Sequence, residues 1–150
     1  MAALTRGAKR PMIRFVDLSL PLTYSIHPDR SLIVVTRIRP ATFEQWAHAM
    51  SELVSDPSFV SGFHFVDDSR AVSTAPARAD VERFAEWIHQ HAAILGPVRW
   101  AVVVQPSARA AFGMARVGEA LTAGSGITLR AFTDLQAAFA WVGGVEPAWD

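Results

Sequence analysis

Asp67-Asp68-Ser69-Arg70 brings two carboxylates, a hydroxyl and a guanidinium together. The four residues directly follow an apolar run, residues 59–66, whose Phe63 and Phe65 alternate with His64 and Val66 as a strand requires. In open α/β sheets ligands gather at the carboxyl ends of the strands, so charged groups there are placed for binding. The tetrad is read either as part of such a site or as a solvated loop in which Asp68 pairs with Arg70 or with Arg116.

Other reactive side chains are less well arranged. His89 and His91 are two apart on an expected helix, so their side chains diverge by about 200° and do not share a metal ion. His27, His48 and His64 have no partner at ligand spacing, and the chain has no Cys. That removes disulfides, thiol catalysis and thiolate metal sites together. Gly124-Ser125-Gly126 lies between an expected helix and a strand, the wrong order for a phosphate-binding turn. There is no G-x-S-x-G elbow, and no spacing of Ser, His and Asp supports a triad. No metal and no cofactor is expected.

The elements that must hold these groups follow from periodicity. Residues 22–38 read as a hairpin across the turn Pro28-Asp29-Arg30. Thr42 and Gln45 have capping-box spacing before a one-sided helix bearing Phe43, Trp46, Met50 and Leu53, which Asp56-Pro57 ends. The strand over 59–66 follows, then a helix starting near Thr74-Ala75-Pro76 and stopped by Gly96-Pro97. Residues 99–105 form the central strand, a short apolar, β-branched run of the kind covered on both faces. Ser107 is read as the cap of a helix over 108–121. A strand over 126–132 then leads into a last helix with a Thr133–Gln136 capping box and a Gly143-Gly144 stop. Alternating helices and strands favour an α/β domain with right-handed crossovers. Trp46, Trp87, Trp100 and Trp141 all fall inside elements and read as packing residues.

The third helix is unusual. Ala108, Ala111, Phe112, Ala115 and Gly118 share one face, while Ala110, Met114, Val117 and Leu121 share a nearly opposite one. A surface helix needs one apolar stripe. Two stripes mean burial on both sides or a contact surface. On the second reading Met114, Val117 and Leu121 form a homodimer or partner patch.

Composition bounds the function. With 51% hydrophobic and 19% charged residues the chain is globular, and 150 residues are the length of one domain. Residues 1–11 are expected to be a flexible basic tail and 12–150 the domain. A formal net charge of zero argues against nucleic-acid binding. No apolar run reaches membrane-spanning length and the first residues lack a long apolar segment, so no integral membrane segment or secretory leader is expected, and the location is taken as cytoplasmic.

Several segments together resemble a family. Asp68-Ser69-Arg70, Arg99-Trp100-Ala101-Val102-Val103, Phe112-Gly113-Met114-Ala115-Arg116, and Arg130-Ala131-Phe132-Thr133 running into Ala137-Ala138-Phe139-Ala140-Trp141-Val142 look like the SpoIIAA-like, or STAS-like, bacterial domains related to anti-sigma-factor antagonists. The likeness spans roughly residues 22–142, and the F-G-M-A-R segment is its most specific part. It implies a single mixed sheet of four to five strands with about four helices packed mainly on one face. It also implies a non-enzymatic regulatory or protein-interaction role. In true antagonists a serine after the third strand is phosphorylated, and Ser69 is its counterpart. Those proteins carry D-S-S/T-G, however, and this chain has no Gly there, so a phosphate on Ser69 would face two carboxylates. Similar folds also take up small apolar or amphipathic ligands between helix and sheet. A carrier of that kind is expected to hold a pocket lined by Phe112, Met114, Trp87 and Trp141 with Arg116 at its mouth. On either reading Asp68, Ser69, Arg70, Phe112, Met114 and Arg116 are the candidate ligand or partner residues.

Overall fold

The computed structural model describes residues 20–143 and the backbone of Met12–Ile13. The tail expected over residues 1–11 and the second glycine of the final stop lie outside the described residues. Strands β1 (Met12–Ile13), β2 (Leu22–His27), β3 (Leu32–Arg37), β4 (His64–Asp68), β5 (Val98–Val103) and β6 (Ile127–Phe132) form one sheet in chain order. The first three are antiparallel, and β3 to β6 are parallel. The sheet is therefore mixed, with five full strands and the two-residue β1 at one edge. Helices α1 (Phe43–Val54), α2 (Arg78–Leu95) and α3 (Arg109–Thr122) make the parallel crossovers, and α4 (Leu135–Trp141) follows β6.

Strand order explains the layers. Right-handed crossovers that always step in one direction place their helices on one face. Ile33, Val35, Phe65, Trp100, Ile127 and Leu129 project to that face and build the larger core with Trp46, Met50, Leu53 and Ile88. Phe65 and Trp100 are register partners and stack with centroids 3.9 Å apart. The intervening residues Leu32, Val34, Val66, Ala101 and Val103 project the other way and meet Ala138, Phe139 and Val142 of the α4 segment. β5 is an interior strand, hydrogen-bonded to β4 and β6, as its unbroken apolar run implies.

Local signals hold in some places and shift in others. The Thr42–Gln45 capping box is complete, with Gln45 N–H donating to Thr42 Oγ1 at 3.1 Å and Thr42 N–H to Gln45 Oε1 at 3.0 Å. α2 starts at Arg78, later than Thr74-Ala75-Pro76 suggests, with no side-chain cap. α3 has Ala108 and not Ser107 at its cap position, and backbone bonds such as Ala108 N–H to Gln105 O close the turn. At α4 the cap is Asp134, which accepts from Gln136 N–H, one residue beyond the expected Thr133. Asp is the stronger cap, and it wins the competition between neighbours. Gly143 follows α4 at φ 86°, the left-handed stop its sequence position implies.

The strand expected over 59–66 is displaced. Residues 59–63 turn, with Phe59 N–H on Asp56 O and Phe63 N–H on Val60 O, and β4 begins at His64 and continues through Asp67 and Asp68. Pairing on both sides carries the strand into charged residues that local pattern alone would exclude. At the other end of the sheet Gly96, at φ 76°, lets the α2–β5 turn approach this loop. A Cβ there would lie 2.6 Å from Ser61 Oγ and 3.1 Å from Gly62 N.

Candidate functional site: a cleft at the carboxyl edge of the sheet

Where β3, β4 and β5 end, the starts of α1, α2 and α3 diverge and leave a cleft of about 170 Å³. Its polar end comes from strand alternation. Val35 and Phe65 face the larger core, so Arg37 and Asp67, two residues on, face the same side. Asp67 is a buried carboxylate with a side chain 2% exposed, and Arg37 is 23% exposed. Such a burial requires a partner. Arg37 supplies it in a fork, donating from Nε to Oδ1 at 3.2 Å and from Nη2 to Oδ2 at 3.1 Å. Ser69 Oγ–H donates to Asp67 Oδ1 at 3.0 Å and closes the network.

The rest of the cleft is mainly apolar. α1 contributes Phe43 and Trp46, α2 contributes Val81 and Phe84, and Val102 and Leu129 come from the sheet. Trp46 meets Phe84 edge-on at 4.7 Å and Trp87 at 5.0 Å. Its indole N–H is buried without an acceptor among the described residues, as is that of Trp100. The α3 wall is low because it presents Ala111, Ala115 and Gly118, at helical spacing, together with Met114. Larger side chains at these positions would fill the layer. Gly118 also permits close approach, since a Cβ there would lie 3.1 Å from Leu129 Cδ2. The charged lining consists of Arg37, Arg39, Asp67 and Asp80, so the two signs balance.

The candidate residues divide between the cleft and its surroundings. Ser69 and Met114 line it. Asp68 leaves β4 on the side opposite Asp67 and takes Arg70 in a fork, at 2.8 Å from Nε and 2.9 Å from Nη2. This is one of the two pairings expected for Asp68. Gln105 Nε2 donates to Arg70 O, which ties the β4–α2 loop to the segment before α3. Arg116 bridges Glu119 at 3.3 Å, and Glu119 Oε2 in turn accepts Ala131 N–H of the edge strand β6 at 2.8 Å. Phe112 packs on the Val104, Ala108 and Ala111 cluster. Of the proposed patch, Met114, Val117 and Leu121 are each half-buried. Leu121 O is bonded to His89 Nε2 at 2.9 Å, which brings that end of α3 against α2.

The pocket expected from Phe112, Met114, Trp87 and Trp141 with Arg116 at its mouth is not formed. Trp141 belongs to α4 on the opposite face, and Trp87 is core, edge-on to Trp46. Of these residues only Met114 lines the cleft. The residue that sequence reading passed over is Arg37, and with it the pairing of Asp67, which the tetrad included but left without a partner. The signal was available: extending the Ile33–Val35 and Phe63–Phe65 alternation by one step places both charges on the apolar face.

Chemically, the cleft offers a preorganised polar end and an apolar wall. The Ser69 hydroxyl donates to a carboxylate that Arg37 already bridges, and the residues lining the cleft include no His. Among the described residues no group of three or more His, Asp or Glu could hold a metal ion, and no helix is long and apolar enough to cross a membrane. Comparison of the chain with protein-family models, with curated proteins and with solved structures returns no match.

Proposed function

We propose that this chain is a STAS-like, non-catalytic domain that binds a small amphipathic molecule in the carboxyl-edge cleft and acts as its sensor or carrier. The observation that carries this reading is the cleft itself: an aromatic and aliphatic wall ending in the fixed Arg37–Asp67–Ser69 network. A concave, mainly apolar site with a few converging polar groups is the usual form of a small-molecule site. The segments behind the family resemblance also frame this cleft. Ser69 comes from the D-x-R loop, Val102 from the R-W-A-V-V strand, and Met114 and Ala115 from the F-G-M-A-R helix. In a regulatory domain of this kind, occupancy of the cleft is the input that a protein partner reads.

The test is a thermal-shift screen of small apolar and amphipathic compounds on the purified protein, run beside the Ala115→Phe variant, whose ring would occupy the cleft. A ligand that binds only the folded state raises Tm by mass action. The reading expects compounds that raise Tm of the wild type and leave Ala115→Phe unchanged. A screen with no such compound would sink it. Native mass spectrometry adds a second view: a bound small molecule supports the carrier, whereas a clean apo dimer supports an interaction module acting through the Met114, Val117 and Leu121 face of α3.

A further inference from the structure

We infer that the cleft is built for an uncharged aromatic ring bearing one hydroxyl, with the ring against Phe43, Trp46 and Phe84 and the hydroxyl at Ser69 and Arg37. The inference rests on the reading above, that the cleft holds a small molecule, and names the chemical class.

Charge comes first. An anionic ligand at the polar end would face the buried Asp67 carboxylate, and a cationic one would face Arg37 and Arg39. With two arginines and two aspartates in the lining, neither sign of ligand gains a net counter-charge, and either one must give up its hydration to enter. A neutral group avoids that cost. Hydrogen bonding comes second. Ser69 Oγ uses its proton on Asp67, so its lone pairs are left to accept, and the Arg37 fork uses Nε and Nη2, leaving Nη1 outside the pair as a donor. A ligand hydroxyl donates and accepts at once and so matches both. Size comes third. A cavity of about 170 Å³ is close to the roughly 150 Å³ engineered apolar cavity that takes up benzene. One ring with a short substituent fits, and a long acyl chain does not. The edge-on arrangement of Trp46 and Phe84 offers the ring an aromatic wall.

The experiment compares four probes of one shape at pH 7.5: benzyl alcohol, benzoate, benzylammonium and toluene, each titrated calorimetrically into the intact protein. Benzyl alcohol should bind at least about tenfold more tightly than either ion. It should also bind about threefold to tenfold more tightly than toluene, the value of one net hydrogen bond. Ser69→Ala should bring the alcohol close to toluene, and Ala115→Phe should abolish binding of all four. Backbone amide shifts at Ser69, Val102 and Ala115 on adding benzyl alcohol locate the site without a variant. Tightest binding by benzoate or benzylammonium would overturn the charge argument. Equal binding of alcohol and toluene would overturn the polar contact. Each of those results leaves the cleft as a ligand site. Binding that persists in Ala115→Phe, with no shifts at the three amides, would overturn the location. If none of the four binds while the broader screen finds other ligands, the class is wrong. If neither experiment finds a ligand, the class and the functional reading fall together.

Discussion

At the carboxyl end of β4, Asp67 and Asp68 leave the same strand on opposite sides of the sheet, and each pairs with an arginine. On the cleft side Asp67 is enclosed beneath three helices and held by Arg37 from the next strand and Ser69 from the loop. On the other side Asp68, with a side chain 17% exposed, is paired with Arg70, two residues on, whose side chain is 46% exposed. The same two residue types thus form one pair through tertiary structure and one within a turn. The first costs desolvation and is kept only because its geometry is complete. The second is screened by solvent and salt. The contrast extends to packing. Around Asp67 the helix layer thins to Ala111, Ala115 and Gly118, whereas on the α4 face Val66 and Val103 are covered by Ala138, Phe139 and Val142.

The largest effect should come from separating the cleft-side pair. Arg37→Met leaves Asp67 buried without its counter-ion. Breaking a buried pair from one side costs about 3–5 kcal/mol, and the partial exposure of Arg37 puts the expected loss near the lower end, about 3 kcal/mol. For a chain of this size that is a Tm lower by roughly 10 °C. The double variant Arg37→Met/Asp67→Leu should recover most of the loss, because an apolar pair of similar volume has no charge to desolvate. Urea unfolding of the three proteins measures both steps. A single variant within 1 kcal/mol of wild type, or a double variant no better than the single, would contradict the account of Asp67 as an enclosed charge.

Much of this asymmetry is legible in the sequence, and the illegible part has physical causes. Alternation along β3 and β4 assigns Arg37 and Asp67 to the apolar side once it is continued past the last hydrophobic residue. The small-residue face of α3 is visible at helical spacing. What local pattern does not contain is how far apart three helix starts stand, and that separation sets the volume of the cleft. Nor does it reveal that α4, after β6, crosses to the opposite face and takes Trp141 away from Met114. The start of α4 moved for a related reason: where two neighbours can both cap, as Thr133 and Asp134 can, the stronger acceptor decides.

A pH titration sharpens the comparison, because the imidazole on β4 lies on the Asp68 side. His64 Nδ1 accepts the Arg99 backbone N–H at 2.9 Å, which requires a neutral ring. Burial, and then the Arg99 charge, hold its pKa below 6.5. His27, bonded to Ser25 Oγ at 2.8 Å, is also lowered, by burial first, with Asp29 opposing and Arg30 adding a smaller depression. The unfolded chain takes up protons near pH 6.5 that the folded chain refuses. Stability is therefore complete above that value and falls as pH drops toward the lowered folded pKa values. Tm measured from pH 7.5 to 5 should decrease, and His64→Asn, which keeps an acceptor but does not titrate, should show a shallower decrease. An identical slope in the variant would remove His64 from the account.

The smallest effect belongs to Asp68. Its fork to Arg70 is short, but exposed pairs are worth about 0.2–1 kcal/mol. Its Oδ1 also accepts Arg70 N–H at 3.2 Å, and Asn can reproduce that local bond. Asp68→Asn should therefore cost about 0.5 kcal/mol in low salt, shrinking further in 0.5 M NaCl as the Debye length contracts. The penalty of Arg37→Met should change little over the same range, because its carboxylate is out of reach of the ions. Urea unfolding at the two salt concentrations reads the difference directly. A salt response larger for Arg37→Met than for Asp68→Asn would mean that the cleft-side pair is the solvated one, and the distinction between the two sides of β4 would have to be reversed.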